Sequence, residues 1–242
     1  MMANGGATSA VIFDIDGTLI DSVDSHARAW QETLAHFGIP VAFEDIRSQI
    51  GKGGDQLLPV FVPPDKLDAM KDRIESFRSE LFKREYLPKI RPFPKVRELF
   101  EGIRSEGHRI ALASSAKEDE IAVYKRLARI ADLVDAETSA DDVNCSKPCP
   151  DVFEVAVDRL RTSPARAVVV GDSPYDAIAA GRARLKTIGV LCGGFPEDDL
   201  KRAGCVAIFR DPADILDRFA DFSSLQFTPT PVPRTPASRS AP

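Results

Sequence analysis

Two aspartates, Asp14 and Asp16, stand one residue apart at the end of the apolar run Ala10-Val11-Ile12-Phe13, and Gly17-Thr18 follows them. Such a run, bounded by a glycine, predicts a buried strand, and side chains at i and i+2 leave a strand on the same side. The two carboxylates are therefore expected to face one site, with Ile15 turned away and Gly17 permitting a sharp turn beside a ligand. Like charges this close resist joint ionisation unless a divalent cation neutralises them or one keeps its proton. The pairing suits a nucleophile next to a general acid. An acidic turn closed by Asx-type hydrogen bonds is the alternative for an isolated Asp-x-Asp.

Three further strings carry chemistry-bearing side chains, two of them at the ends of apolar runs. Ser114 and Ser115 follow Ile110 to Ala113, where a hydroxyl and the next backbone N–H groups suit phosphate oxygens; a helix N-cap before Lys117 fits the same residues. Lys147 sits in Ser146-Lys147-Pro148-Cys149-Pro150-Asp151, away from any charge run. Asp172 and Asp176 lie in Gly171-Asp172-Ser173-Pro174-Tyr175-Asp176, directly after Val168-Val169-Val170. Ser173 and Asp176 also read as a capping box with Pro174 at the first helical position.

The string Asp14-Ile15-Asp16-Gly17-Thr18-Leu19 resembles the first motif of the haloacid dehalogenase superfamily, and the three later strings match its remaining motifs in order, so the resemblance covers about 9–219. The resemblance implies a magnesium-dependent phosphotransferase with Asp14 as nucleophile and Asp16 as general acid and base. Ser114 and Lys147 would hold the phosphoryl group. Mg2+ would be bound by Asp14, the backbone carbonyl of Asp16, Asp172 and, more indirectly, Asp176, an all-oxygen set that suits a hard cation. An acid at position 16 speaks against halide removal, since a halide leaves without a proton.

From Pro94 onward apolar strands alternate with helical stripes such as Val96, Leu99, Phe100 and Ile103, or Val152, Phe153, Ala156, Val157 and Leu160. That order predicts an α/β fold, a doubly wound parallel-sheet (Rossmann-like) core. Between Asp21 and Leu87 strand signals give way to the stripes Ala27, Trp30, Leu34, Phe37 and Leu67, Met70, Ile74, Phe77, Leu81. The expectation is an inserted all-helical cap domain at 21–87, with core segments 9–20 and 88–222, an extended return through Pro88, Pro92 and Pro94, and disordered tails at 1–8 and 223–242. Within the tail, Pro233-Arg234-Thr235-Pro236 reads as disorder or as an SH3-type ligand.

Substrate choice is expected in the cap. Gly51-Lys52-Gly53-Gly54 lacks the nucleoside-triphosphate loop pattern and reads either as a turn or as a device placing Lys52 near a substrate; His26 faces the cleft or solvent, Trp30 packs the cap, and Ser115 joins Lys52 and His26 as a candidate substrate contact. The favoured reading is hydrolysis of a small phosphate monoester, as in phosphoglycolate or sugar-phosphate phosphatases. A sugar phosphomutase and a non-catalytic phosphate-sensing protein are the alternatives.

The remaining composition narrows partners. The 242 residues carry 43% hydrophobic and 29% charged side chains and a net charge of −5, which opposes nonspecific nucleic-acid binding. No apolar run approaches the ~18 residues of a membrane span, and the start lacks the pattern of a secretory signal. Four cysteines without Cys-x-x-Cys spacing and three scattered histidines argue against structural zinc and for reduced thiols in a cytoplasmic protein. A small phosphorylated metabolite is the expected partner, with no nucleic acid and no membrane; the oligomeric state is left open, a monomer being compatible with the sequence.

Overall fold

A computed structural model describes residues 9–226. The core is a six-stranded, fully parallel sheet built from β1 (Ala10–Phe13), β4 (Arg109–Ala113), β5 (Ala136–Thr138), β6 (Ala167–Gly171), β7 (Lys186–Val190) and β8 (Cys205–Phe209), in the order β5-β4-β1-β6-β7-β8. The short β2 (Ile20–Asp21) and β3 (Arg91–Pro92) pair antiparallel outside it. Central parallel strands are buried on both faces, which is why β1 and β6 read as unbroken apolar runs rather than alternating ones.

Alternation still decides which layer each side chain joins. Val11, Phe13, Leu112, Val168 and Val170 pack on one face with α5 (Val96–Ser105), α6 (Glu118–Ala128), α10 (Pro212–Asp217) and α11 (Phe219–Gln226). Ala10, Ile12, Ala111 and Val169 pack on the other with α7 (Asp151–Arg159) and α8 (Pro174–Arg182), while α9 (Glu197–Ala203) precedes β8. Fully burying each Val, Ile or Phe in these layers contributes about 1.5–3 kcal/mol. A third cluster is formed by α1 (Val23–His36), α2 (Phe43–Arg47), α3 (Gly54–Phe61) and α4 (Pro64–Leu81), with Trp30, Leu34, Leu57, Leu58 and Ile74 at its centre.

The sheet order sets the location of the site. Residues 10–13 pair in level register with 109–112 on one side and 167–170 on the other, so the exits of β4, β1 and β6 are adjacent. Strand order reverses across β1, and the crevice beyond the carboxyl ends at such a reversal is where open α/β sheets bind ligands.

The structure differs from the sequence expectations in three places. The return from the helical segment is extended only at Arg91–Pro92, because Leu87–Lys89 forms a 3₁₀ turn and the proline segment is tied down by Phe93 N donating to Leu19 O at 2.9 Å. Helix α11 continues to Gln226, four residues into the segment expected to be disordered, with Phe222 fully buried; residues 1–8 and 227–242, including Pro233 to Pro236, lie outside the described residues. Cys145 and Cys149 form a disulfide where reduced thiols were expected. The chain between them turns back, with Cys149 N donating to Ser146 O at 3.0 Å and the two Cα atoms 5.8 Å apart, a proximity that a loop of this kind conceals in sequence. Cys192 and Cys205 are outside any disulfide.

Candidate active site

Asp14 leaves β1 with its N–H bonded to Val170 O at 2.9 Å, which brings the aspartate directly beside the exit of β6. Asp172 follows that strand, and the two carboxylates share the Thr18 hydroxyl, which lies 3.2 Å from Asp14 Oδ2 and 3.1 Å from Asp172 Oδ1. Gly17 makes this approach possible: its φ is +84°, and a Cβ there would overlap the Asp172 carboxylate. Asp176, in the first turn of α8, completes a group in which one carboxylate oxygen from each residue lies within 4.8 Å of the others.

One cation serves this cluster. The Lys147 ammonium, fully buried, pairs with Asp14 Oδ1, lies 2.8 Å from Asp176 Oδ1 and donates to Ala113 O at 3.0 Å. Three buried carboxylates against one ammonium leave excess negative charge. Burial accordingly pushes Asp14 up to about 7, with Lys147 opposing and Asp176 and Asp16 adding to the rise; burial and Asp14 push Asp172 well above the usual carboxylate range. The carboxylates hold Lys147 above its ordinary value despite burial. Asp176 Oδ1 is within ion-pair distance of the lysine but makes no aligned hydrogen bond. This donor set, oxygen-only and with three carboxylates against one ammonium, fits a hard divalent cation.

Asp176 has a second role. Its Oδ2 accepts from Ser173 N at 3.1 Å and its own N–H points to Ser173 Oγ at 3.3 Å, so the expected capping box is present and leaves the other oxygen for the cluster.

Asp16 lines the same cavity as Asp14, but its carboxylate joins a different set of partners. Oδ1 accepts from Ser22 Oγ at 2.6 Å and faces His26 Nε2 at 2.8 Å. Behind it, His26 Nδ1 meets Arg78 Nη2; arginine can only donate, so Nδ1 accepts and the ring proton sits on Nε2, toward Asp16. The imidazole is stacked on Phe82 at 4.1 Å and lies 3.2 Å from the Tyr124 hydroxyl. Burial alone would raise Asp16, but the facing edge of His26, the Ser22 hydroxyl and Arg78 outweigh it and hold the carboxyl at about 2. The general acid expected at this position would hold a proton; the polar partners from α1 and α4 keep the carboxyl ionised in this arrangement.

The two serines also divide. Ser114 is buried, its Oγ accepting from Ala116 N at 3.0 Å, and it is not among the residues lining the cavity, whereas Ser115 lines it with a shielded Oγ that has no partner. Neither caps α6, whose N-cap is Lys117. Lys52 lines the cavity, donates to Gln49 Oε1 at 2.5 Å, sits 4.8 Å above the Tyr175 ring and is lowered in pKa by burial. The turn carrying it presses against the core: Gly51 has φ +108°, and a Cβ there would come within 2.6 Å of Ser173 Oγ. Trp30 packs in the third cluster and also lines the cavity.

Sequence reasoning missed Arg78, Glu120 and Tyr124. All three sit on amphipathic helices, where charged positions read as solvent-facing and an aromatic reads as core. The one available signal was that Glu120 and Tyr124 are one turn apart on the helix after the Ser114 strand.

Residues 11–190, which span the strand-exit aspartates, the buried lysine and the acidic cluster, match the family of haloacid dehalogenase-like hydrolases. The chain belongs to that family. A phosphorylated carbohydrates phosphatase of Thermotoga maritima is 29% identical over 212 residues, covering 86% of this chain and 96% of the relative. A phosphoglycolate phosphatase of Nitrosospira multiformis is 32% identical over 205 residues, with 82% and 90% covered. Among solved structures, a hydrolase from Pseudomonas syringae superposes with a TM-score of 0.80 at 28% identity, covering 88% of this hydrolase and 98% of that chain. No helix among the described residues is long and apolar enough to cross a membrane.

Proposed function

We propose that the protein is a magnesium-dependent phosphatase that hydrolyses a small phosphate monoester through an aspartyl-phosphate intermediate. The observation that carries this reading is Asp14: a carboxylate at the exit of the central strand, paired with a buried lysine, grouped with two further carboxylates and sharing its cavity with Asp16. The named phosphatases among its relatives support the same class of reaction.

In this reading an Asp14 oxygen attacks phosphorus in line, the bond to the ester oxygen breaks, and Asp16 passes a proton to that leaving oxygen. The free-site Asp16 is ionised, so the proton arrives with the monoanionic form of the ester, whose second pKa is about 6. In the second half Asp16 takes the proton of a water that attacks phosphorus, releasing inorganic phosphate and restoring Asp14. Lys147 stabilises charge on Asp14 and on the transferring oxygens, and Ser115 and the backbone around Ser114 orient those oxygens. Asp14, Asp172 and Asp176 would hold Mg2+, which when bound supplies the positive charge that keeps Asp14 ionised. Residues 21–87 act as the cap that supplies His26, Lys52 and Arg78 and limits entry of water.

The test is inorganic phosphate release from a panel of small esters by wild type and Asp14→Asn, with and without magnesium. Metal-dependent release abolished in the variant is expected. Release that persists in folded Asp14→Asn removes the proposed nucleophile.

A further inference from the structure

The cavity that begins at Asp14 and Asp16 continues away from the sheet, and its wall there is made by Trp30, Arg78, Ser115 and Glu120. The same four residues line an adjoining chamber of about 380 Å³. In-line attack by Asp14, with Asp16 protonating the departing oxygen, places the leaving group on this side. These four residues therefore meet the part of the substrate that distinguishes one phosphate ester from another.

The charges of this wall are already engaged with each other. Arg78 and Glu120 come from different parts of the fold, α4 and the first turn of α6, and their side chains are 16% and 2% exposed, with Nη1 3.7 Å from Oε1. The guanidinium is fixed in place, giving Nη2 to His26 and lying 4.7 Å from the Phe82 ring centre and 5.5 Å from that of Trp30. What remains unsatisfied is a single N–H and a hydroxyl: Arg78 Nε and Ser115 Oγ are both shielded from solvent and lack a partner. Buried polar atoms of this kind call for a partner, which a bound ligand can supply. The outer chamber adds Lys71 and Lys117, but with them Asp55, Glu75 and Asp141, so no net positive field develops there.

A second anionic group on the leaving side would approach a buried carboxylate, while the cation next to it is already neutralised. An alcohol group meets no such opposition: it accepts from Arg78 Nε and exchanges a hydrogen bond with Ser115 Oγ. Resting on the phosphatase reading above, we propose that Glu120, by neutralising Arg78, selects esters whose leaving group is an uncharged polyol or sugar and rejects those bearing a carboxylate.

The test compares matched pairs that differ in one terminal group: glycerol 1-phosphate against 3-phosphoglycerate, and glucitol 6-phosphate against 6-phosphogluconate. Wild type is expected to favour the alcohol of each pair by about tenfold or more in kcat/KM. Glu120→Gln releases the Arg78 charge and is expected to shift that ratio by on the order of tenfold toward the carboxylate, whereas Glu120→Asp keeps the ranking. Arg78→Gln, which leaves Glu120 uncompensated, should move the ratio the other way, and it serves if circular dichroism shows that Glu120→Gln does not fold. The same pairs are titrated calorimetrically into Asp14→Asn with and without Glu120→Gln, so that selection is read as affinity independently of turnover. Alcohol-selective binding without hydrolysis by wild type would overturn the phosphatase reading and leave the selection intact. Hydrolysis or binding that favours the carboxylates in wild type, or ratios unmoved by the Glu120 and Arg78 variants, would overturn the selection.

Discussion

Replacing Lys147 by methionine removes one charge while keeping the length of the side chain, and the geometry allows its consequences to be worked out. The ammonium satisfies Asp14, Ala113 O and the near oxygen of Asp176 at once, in a place with no solvent. Without it three buried carboxylates face one another and a buried carbonyl loses its donor. Removing one member of a buried ion pair costs roughly 3–5 kcal/mol, about 10 °C in the melting midpoint of a domain of this size. The deficit depends on pH with a definite sign. Asp14 already lies at about 7, above its unfolded value near 3.8, so the folded state retains a proton that the unfolded chain releases, and stability falls as pH rises through that window. Lys147 is the leading influence that lowers Asp14, so its loss raises that carboxyl further and extends the window upward. The variant should therefore lose less stability at pH 5 than at pH 8, and magnesium should restore part of the loss at pH 8. Turnover of a small ester should fall by about 10²–10³, the scale of removing one stabilising group at a developing charge. Urea unfolding at both pH values, with and without magnesium, together with steady-state kinetics, reads every part of this. A variant with near-normal turnover and a pH-independent midpoint would refute the account of the cluster.

Other changes have equally direct readouts. Asp172→Asn removes one oxygen anion from the group of three, so magnesium, which should raise the wild-type melting midpoint, should raise it little in the variant; an undiminished shift would move the metal elsewhere. His26→Ala deletes the N–H that faces Asp16 at 2.8 Å, and should reduce turnover of alkyl esters by about 10²-fold while sparing p-nitrophenyl phosphate, whose leaving group departs without a proton. Equal losses on both substrates would show that the contact does not serve proton transfer. Denatured, unreduced protein should present two titratable thiols, Cys192 and Cys205, and four would show that Cys145 and Cys149 are not bonded.

The electrostatic design separates two acids that are neighbours in the chain. Asp14 sits among carboxylates and is raised by burial, while Asp16, two residues on, is lowered by donors from α1 and α4. Their difference comes from partners and not from the Asp-x-Asp string itself. The segment around Lys147 joins the two parts of the molecule as well: Ser146 N donates to Asp55 Oδ2 at 3.1 Å and Gln56 Nε2 to Cys145 Sγ at 3.3 Å, so the loop with the buried ammonium is braced by the start of α3.

Sequence alone was sufficient for whatever depends on local periodicity and strand exits. Unbroken apolar runs of four or five residues with glycine close behind fit strands buried on both faces, helical stripes alternate with them, and a carboxylate at the end of such a strand emerges at the sheet's carboxyl edge; hence the α/β core, the helical segment after Asp21, and the positions of Asp14, Asp16 and Asp172 were readable. Tertiary structure decided whatever depends on which charged residue of an amphipathic helix turns inward. Arg78 and Glu120 are 42 positions apart and look like solvated helix faces until α4 and α6 meet over the cavity. The same packing set Ser115 rather than Ser114 on the cavity wall, brought Cys145 to Cys149, and lowered Asp16, because burial and partner distance are properties of the assembled layers and leave no period in the chain.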